Sequence, residues 1–375
     1  MLFIILSLAA PAVAYTDIVV GQFMYKNIDP IVFPGQYSKS HLHTFFGSDA
    51  ITINTNTSAE LQAGCATAEN PNDFSTYCES SPASVDGPPP ICRCRLPTDY
   101  TAMTKPCVDC FAPGVPTLLV SPTGDTDASS YEPVPIARFT AYYNLGASPA
   151  EVAIPQDLKM TAGSATAQTS SEMSANAPNA GVEWFCEGDD APADKDVAAF
   201  PTSTCSTHLQ TLLYFPDCVD ADTLETGYTD RSYGTTNWCP DGMSRMPQLR
   251  FSIRYDLRDV LPDGWSGDPP LVLASGTSFS SHGDFVNGWL PEAAENMVAT
   301  TEEKYTFAAV DGPNGNDGDG SVCTTTATDA DPDNGTSDYA TSIEEMSGSS
   351  KRLMRRRIGT QRAASRAAVR DAARA

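Results

Sequence analysis

The chain has 375 residues, is 41% hydrophobic and carries a formal net charge of -24. That charge is uneven: residues 1–350 hold 14 Lys+Arg against 46 Asp+Glu, whereas residues 351–375 hold 9 against 1. So acidic a body cannot track a phosphate backbone, which excludes nucleic acid as a partner, and the apolar content suits one large folded domain or two small ones rather than a disordered chain or a multi-span membrane protein.

The first fourteen residues, MLFIILSLAAPAVA, form an apolar run closing in Ala12-Val13-Ala14, the small-x-small form of a secretory cleavage site. Residues 1–14 are therefore expected to be a signal peptide, cut before Tyr15, and the product to be secreted, extracellular or cell-wall associated. A short buried strand is the competing reading, but the small-x-small ending favours export. No other stretch approaches the roughly 18 apolar residues of a membrane span, so no transmembrane segment is expected.

Residues 15–300 are expected to form the folded domain. With 29 prolines and 26 glycines and few windows of 3.6-residue apolar periodicity, it reads as strands and loops. Strands are predicted at Ile18–Met24, His41–Phe46, Ala137–Tyr143, Thr211–Phe215 and Leu249–Tyr255. The last alternates Leu249, Phe251, Ile253 and Tyr255 with Arg250, Ser252, Arg254 and Asp256, the pattern of a half-buried strand. The expected fold is mostly β: a single domain like an antiparallel β-sandwich with long disulfide-tied loops, followed by a disordered linker and a basic tail able to form a helix.

Cysteines fall at 65, 78, 92, 94, 107 and 110, then at 186, 205, 218 and 239, with Cys323 apart. In an exported chain these read as disulfides. Cys92-x-Cys94 with Cys107-x-x-Cys110 has the spacing of a thiolate zinc knuckle, but oxidation on export removes the thiolates such a site needs. Ten body cysteines allow five bridges of open connectivity and leave Cys323 over.

Residues 301–350 read as an acidic low-complexity linker. The Asp317–Gly320 stretch lacks the full ligand series of a calcium loop. Residues 351–375 place Arg362, Arg366, Arg370 and Arg374 four apart, one basic stripe on a helix. The tail reads as a solvated extension, an anchor on an anionic surface, or a segment removed near Lys351-Arg352 or Arg355–Arg357. Asn56-Thr57-Ser58 and Asn334-Gly335-Thr336 have the form of glycosylation acceptors.

Three of the four histidines lie in two tight motifs. In Ser40-His41-Leu42-His43, strand alternation puts His41 and His43 on one face, where two imidazoles can share a metal or divide acid and base roles. Leu42, Thr44 and Phe46 would then face the core. In Ser281-His282-Gly283-Asp284, an extended segment puts His282 and Asp284 on one face, and the carboxylate can orient an imidazole or ligate a cation. His41, His43, His282 and Asp284 are thus the candidate catalytic residues and the candidate ligands of one divalent metal ion, with Asp29, Asn287 and Trp289 in support. The competing reading is histidines hydrogen-bonded to backbone in a loop-rich core. His208 opens an apolar run that reads as a buried strand ending at Cys218. No nucleophile elbow, phosphate loop or dinucleotide fingerprint is present, so no organic cofactor is expected.

The motifs Asp29-Pro30-Ile31-Val32 with Pro34-Gly35, Ser40-His41-x-His43, Cys107-x-x-Cys110, Phe215-Pro216-x-Cys218, Cys239-Pro240 with Pro247, and His282-x-Asp284-Phe285-x-Asn287-Gly288-Trp289 recur in that order. In them the chain resembles the secreted family of domain of unknown function 1996, known mainly from fungi, from about Val20 to Val298. The resemblance implies export, one disulfide-bonded domain and partnership with carbohydrate-binding modules in other members; it carries no established activity. The chain departs from the family in Phe111-Ala-Pro-Gly-Val after the Cys-x-x-Cys, in Val219 where a Trp is usual, in Tyr233 where a histidine is expected, and in a histidine missing before Pro247. Two functions are then open. The favoured one is an extracellular enzyme acting on polysaccharide through His/Asp acid-base or metal-assisted chemistry. The alternative is a non-catalytic cell-wall or extracellular glycan binder, with Trp238, Trp265 or Trp289 stacking on sugars, or a structural protein. The sequence leaves the oligomeric state open.

Overall fold

The structure, a computed structural model, describes residues 13–18, 23–36, 40–79, 118–121, 132–146, 150–176, 181–188, 199–258, 260–299 and 310–316. The first twelve residues, the Cys92–Cys110 cluster, Cys323, the Asn334 triplet and the basic tail lie outside them.

In chain order the strands are β1 (Val13–Ile18), β2 (Met24–Lys26), β3 (His43–Gly47), β4 (Thr76–Glu79), β5 (Leu118–Val120), β6 (Glu132–Pro133), β7 (Ile136–Gly146) and β8 (Lys159–Gly163). They continue as β9 (Val182–Cys186), β10 (Leu209–Tyr214), β11 (Cys218–Val219), β12 (Thr226–Gly227), β13 (Ser244–Arg245), β14 (Gln248–Tyr255), β15 (Leu271–Leu273) and β16 (His282–Val286). Three short helices, α1 (Ser58–Gln62), α2 (Ser170–Asn176) and α3 (Pro291–Ala299), and two single-turn 3-10 helices, Arg231–Tyr233 and Ser278–Ser280, complete the described elements. The mostly β, antiparallel reading thus holds.

Two five-stranded sheets carry the fold, ordered β1-β7-β14-β10-β9 and β2-β3-β4-β16-β8, with two three-stranded sheets beside them. Every strand pair among the described residues is antiparallel. The period of 2 along a strand decides which residues meet between the sheets. The first sheet sends Phe139, Ala141 and Tyr143 of β7, Leu249, Phe251 and Ile253 of β14, and Leu209 and Leu213 of β10 into one buried cluster. The second answers with Phe46, Tyr77, Met160, Ala162 and Phe285. Phe46 stacks on Phe139 with ring centroids 4.4 Å apart, and Tyr77 meets Phe251 edge-on at 5.8 Å. The sheets approach so closely over β16 that a Cβ on Gly283 would stand 3.1 Å from the Phe251 ring.

The second sheet is covered on its outer face as well. Phe23, Ile28, Phe45, Ile51, Leu61 and Val286 form a smaller buried cluster there, drawn from the sheet and from the chain between residues 23 and 61. Helix α1 closes this layer. Thr57 caps it in a reciprocal arrangement with Glu60, and Ser58 Oγ donates to the Asn287 carbonyl at the end of β16.

Cys186–Cys205 and Cys218–Cys239 are bridged, closing loops with sequence separations of 19 and 21. Such loops contribute about 3 kcal/mol each by restricting the unfolded chain. Cys65 is also disulfide-bonded. Of the expected strand at Ile18–Met24, residues 19–22 lie outside the described residues and its ends fall in β1 and β2; β1 starts at Val13, so it spans the expected cleavage point before Tyr15. Val310–Asn316 lie within the stretch expected as linker, yet they are tied to the domain. Val310 is buried in the main core, and Asn70 and Asn72 donate to the Val310 and Gly315 carbonyls. Among the described residues no helix is long and apolar enough to cross a membrane.

Truncating Phe46 to Ala removes the ring that couples the sheets. The expected loss is about 3–5 kcal/mol of unfolding free energy, read from urea denaturation. A loss below about 1 kcal/mol would show that this contact does not hold the sandwich together.

Candidate functional site

The face that packs on the first sheet takes Phe46 from β3 and Phe285 from β16. Alternation therefore sends His43, Phe45, His282 and Asp284 to the opposite face, beneath the outer layer. Register completes the placement. Phe45 pairs with Cys78, Cys78 with Asp284, and Asp284 with Thr161. His43 and His282, two residues along, therefore share the next row, two strands apart. At about 4.8 Å per strand their backbones stand on the order of 10 Å apart, a gap that two imidazoles leaning across β4 can close. His43 Nε2 lies 3.3 Å from His282 Nε2.

His41 joins them by another route than the one expected. Strand β3 begins only at His43, so His41 belongs to the approach to the strand. Its ring nevertheless lies 4.2 Å from that of His43 and 5.0 Å from that of His282. It is half-buried, whereas His43, His282 and Asp284 are almost fully enclosed. Asp284 Oδ2 lies 3.8 Å from His43 Nε2, while Oδ1 accepts from Thr161 Oγ1 at 2.6 Å.

Asp29 reaches the cluster from the loop after β2. Its Oδ1 accepts the Ile31 and Val32 amides at 2.9 and 2.7 Å, the local turn an aspartate favours before a proline. Its Oδ2 is buried with no partner, as is His41 Nε2. Ligand atoms of His41, His43 and His282 all lie within 4.8 Å of one another, and so do those of Asp29, His43 and Asp284. The two trios meet at His43.

Asn287 and Trp289 stand apart from this cluster. Asn287 donates to the Pro155 carbonyl at 2.8 Å and accepts the Trp289 amide. The buried indole of Trp289 donates to Tyr143 Oη at 2.9 Å, and that hydroxyl meets Tyr77 Oη, which bonds Asp73. Both residues brace the end of β16 against the main core. His208 is remote in role, its Nδ1 paired with Glu187 at 2.8 Å. Tyr233, where a family histidine was expected, is 46% exposed.

No motif pointed to Thr161, an isolated threonine whose role depends on the β8–β16 register. Ser40, which is 3.3 Å from His43 Nδ1, was visible only as a motif neighbour. Gly163 is a further hidden requirement. It has φ +80, and a Cβ there would lie 2.2 Å from the Ser281 carbonyl and 2.8 Å from His282 Cα. A side chain at this position would push His282 off its row.

Burial sets the protonation of the cluster. It is the main cause that pushes His43 down to about 4 against the pull of Asp29, holds His41 well below an ordinary imidazole, with His43 and His282 adding to this, and lowers His282. Burial, with Asp29 beside it, also raises the Asp284 carboxyl well above the usual carboxylate range. The imidazoles thus stay neutral in the folded chain where those of the unfolded chain take up protons, near 6.5. Their contribution makes the folded state lose stability as pH falls from about 6.5 towards 4. Asp284 acts oppositely, since its folded form holds a proton and its contribution declines as pH rises above the ordinary carboxylate value. In chelator-treated protein, His43→Gln is expected to flatten the fall in Tm between pH 6.5 and 4 relative to the parent. Parallel Tm curves would show that His43 is not buried neutral.

The family model described as domain of unknown function (DUF1996) matches residues 29–81 and 115–289, a span that includes Asp29, His41, His43, Thr161, His282 and Asp284. No curated protein and no solved structure matches the chain. With most of its folded body matched and the polar cluster lying wholly inside the match, the chain belongs to the DUF1996 family.

Proposed function

We propose that the chain is an exported enzyme that acts on an extracellular polysaccharide, with His41, His43, His282 and Asp284 as its reacting groups. The observation that carries this reading is the convergence of residues 239 positions apart, His43 and His282, into one enclosed polar cluster with the half-buried His41 on its approach. A fold gains no stability from collecting three imidazoles and two carboxylates in a low-dielectric layer. Such groups, with their protonation displaced, are what acid-base or metal-assisted bond cleavage requires. Asp284, held protonated by burial, is suited to deliver a proton to a leaving oxygen, and a neutral imidazole is suited to take one from water or from a sugar carbon. Polysaccharide as substrate rests on the secretory leader and on the acidic body, which repels anionic polymers but accommodates neutral or cationic ones.

The glycan-binder alternative is weakened by its aromatic residues. Trp289 is fully buried, Trp265 packs partly against the main core and donates to the Pro201 carbonyl, and Arg231 already lies 4.5 Å over the Trp238 ring.

His41→Ala is the informative variant because the residue is half-buried and takes no side-chain hydrogen bond at Nε2. It is expected to keep the parent Tm within a few degrees and to lower product release from soluble and insoluble wall glycans by roughly 100-fold or more, the scale of a lost acid-base group. Equal product release by the variant, or none by the parent on any glycan it retains in a pull-down, would sink the enzyme reading.

A further inference from the structure

We infer that this cluster is a preformed site for one imidazole-preferring divalent transition-metal ion of the zinc class, held by His43, His282 and His41 and balanced in charge by Asp29 and Asp284. The inference rests on the same residues as the proposed enzyme and deepens it from acid-base or metal-assisted chemistry to a defined metal centre.

The hydrogen bonds around the rings fix where their lone pairs point. His282 Nδ1 lies 2.8 Å from the Ser280 carbonyl, which can only accept, so Nδ1 carries the hydrogen and Nε2 is bare. Ser40 Oγ lies 3.3 Å from both the His41 carbonyl and His43 Nδ1; in the tautomer where it donates to the carbonyl and accepts from Nδ1, His43 Nε2 is bare as well. The two bare nitrogens face each other at 3.3 Å in a buried layer. Lone pairs so opposed repel unless something electrophilic stands between them. A shared proton would satisfy these two nitrogens but would leave His41 Nε2 and Asp29 Oδ2 enclosed without partners. An ion bound by the three imidazoles gives their nitrogens a common partner and leaves Asp29 and Asp284, which form the second trio around His43, to balance its charge.

The outer contacts match those of metal sites. Each bare imidazole is held through its far nitrogen by an acceptor, and Asp284 is oriented through its other oxygen by Thr161. Three neutral imidazoles with Asp29 and Asp284 sum to two negative charges once Asp284 releases its proton on metal binding, and a divalent ion neutralises them. The nitrogen-rich donor set selects against calcium and magnesium, which bind through oxygen.

The test uses the full secreted chain, stripped with chelator and titrated with zinc, cobalt(II) and calcium chlorides. One zinc or cobalt ion per chain by elemental analysis, a rise in Tm with zinc and none with calcium, and cobalt absorption bands of a nitrogen-ligated ion are expected. His43→Gln and Asp29→Asn should weaken zinc by more than about 100-fold, and Thr161→Val, which touches no ion, by about 10- to 100-fold. Because His43→Gln can fail to fold, Thr161→Val and the cobalt spectrum of the parent serve as independent readouts. No bound ion, binding by calcium alone, or zinc affinity unchanged in Asp29→Asn and Thr161→Val would each overturn the site. Bound zinc without glycan turnover supports the metal centre and defeats the proposed enzyme, whereas glycan turnover by a chain that binds no ion defeats the metal centre and leaves acid-base catalysis standing.

Discussion

The aromatic contact between the two large sheets governs everything described on the second one. Once Phe46 is committed to Phe139, and Phe285 lies beside Tyr77 and Phe215, the period of the strand leaves no freedom. His43 and the pair His282 and Asp284 must point the other way. A slip of one residue in either strand would drive imidazoles into the sandwich interior and phenyl rings into the polar layer. The site is therefore positioned by apolar packing that it never touches.

The outer layer then resolves a conflict between burial and charge. A sheet face left open to water would hydrate these groups and return their proton affinities to ordinary values. The small cluster of Phe23, Ile28, Phe45, Ile51, Leu61 and Val286 prevents this by closing the layer around them. Asp29 is the point where the closing loop contributes to the site. Its one carboxylate both folds the turn and presents a free oxygen inward.

Much of this was legible in the chain itself. The alternation at Leu249–Tyr255 matches β14, and the His-x-His and His-x-Asp motifs met because each motif is local and residue type announces its chemistry. What could not be read was how they meet. His41 comes to the cluster from outside the strand, so alternation was the wrong reason for a correct neighbourhood. Thr161 and Gly163 matter only through the register of β8 against β16, which is set by packing between residues more than a hundred positions apart. Asn287 and Trp289 share a motif with Asp284 but serve the core, because the strand ends at Val286, just before Asn287.

The side-by-side placement of inward and outward residues on β3 and β16 makes stability and chemistry separable within one short segment. Thr44, Phe46, Gly283 and Phe285 answer to the opposing sheet, while His43, His282 and Asp284 answer to one another, to the loop above them and to Ser40, Thr161 and the Ser280 carbonyl. A lineage could exchange the outward donors one at a time and keep the same sandwich, so relatives that share this architecture need not share a reaction.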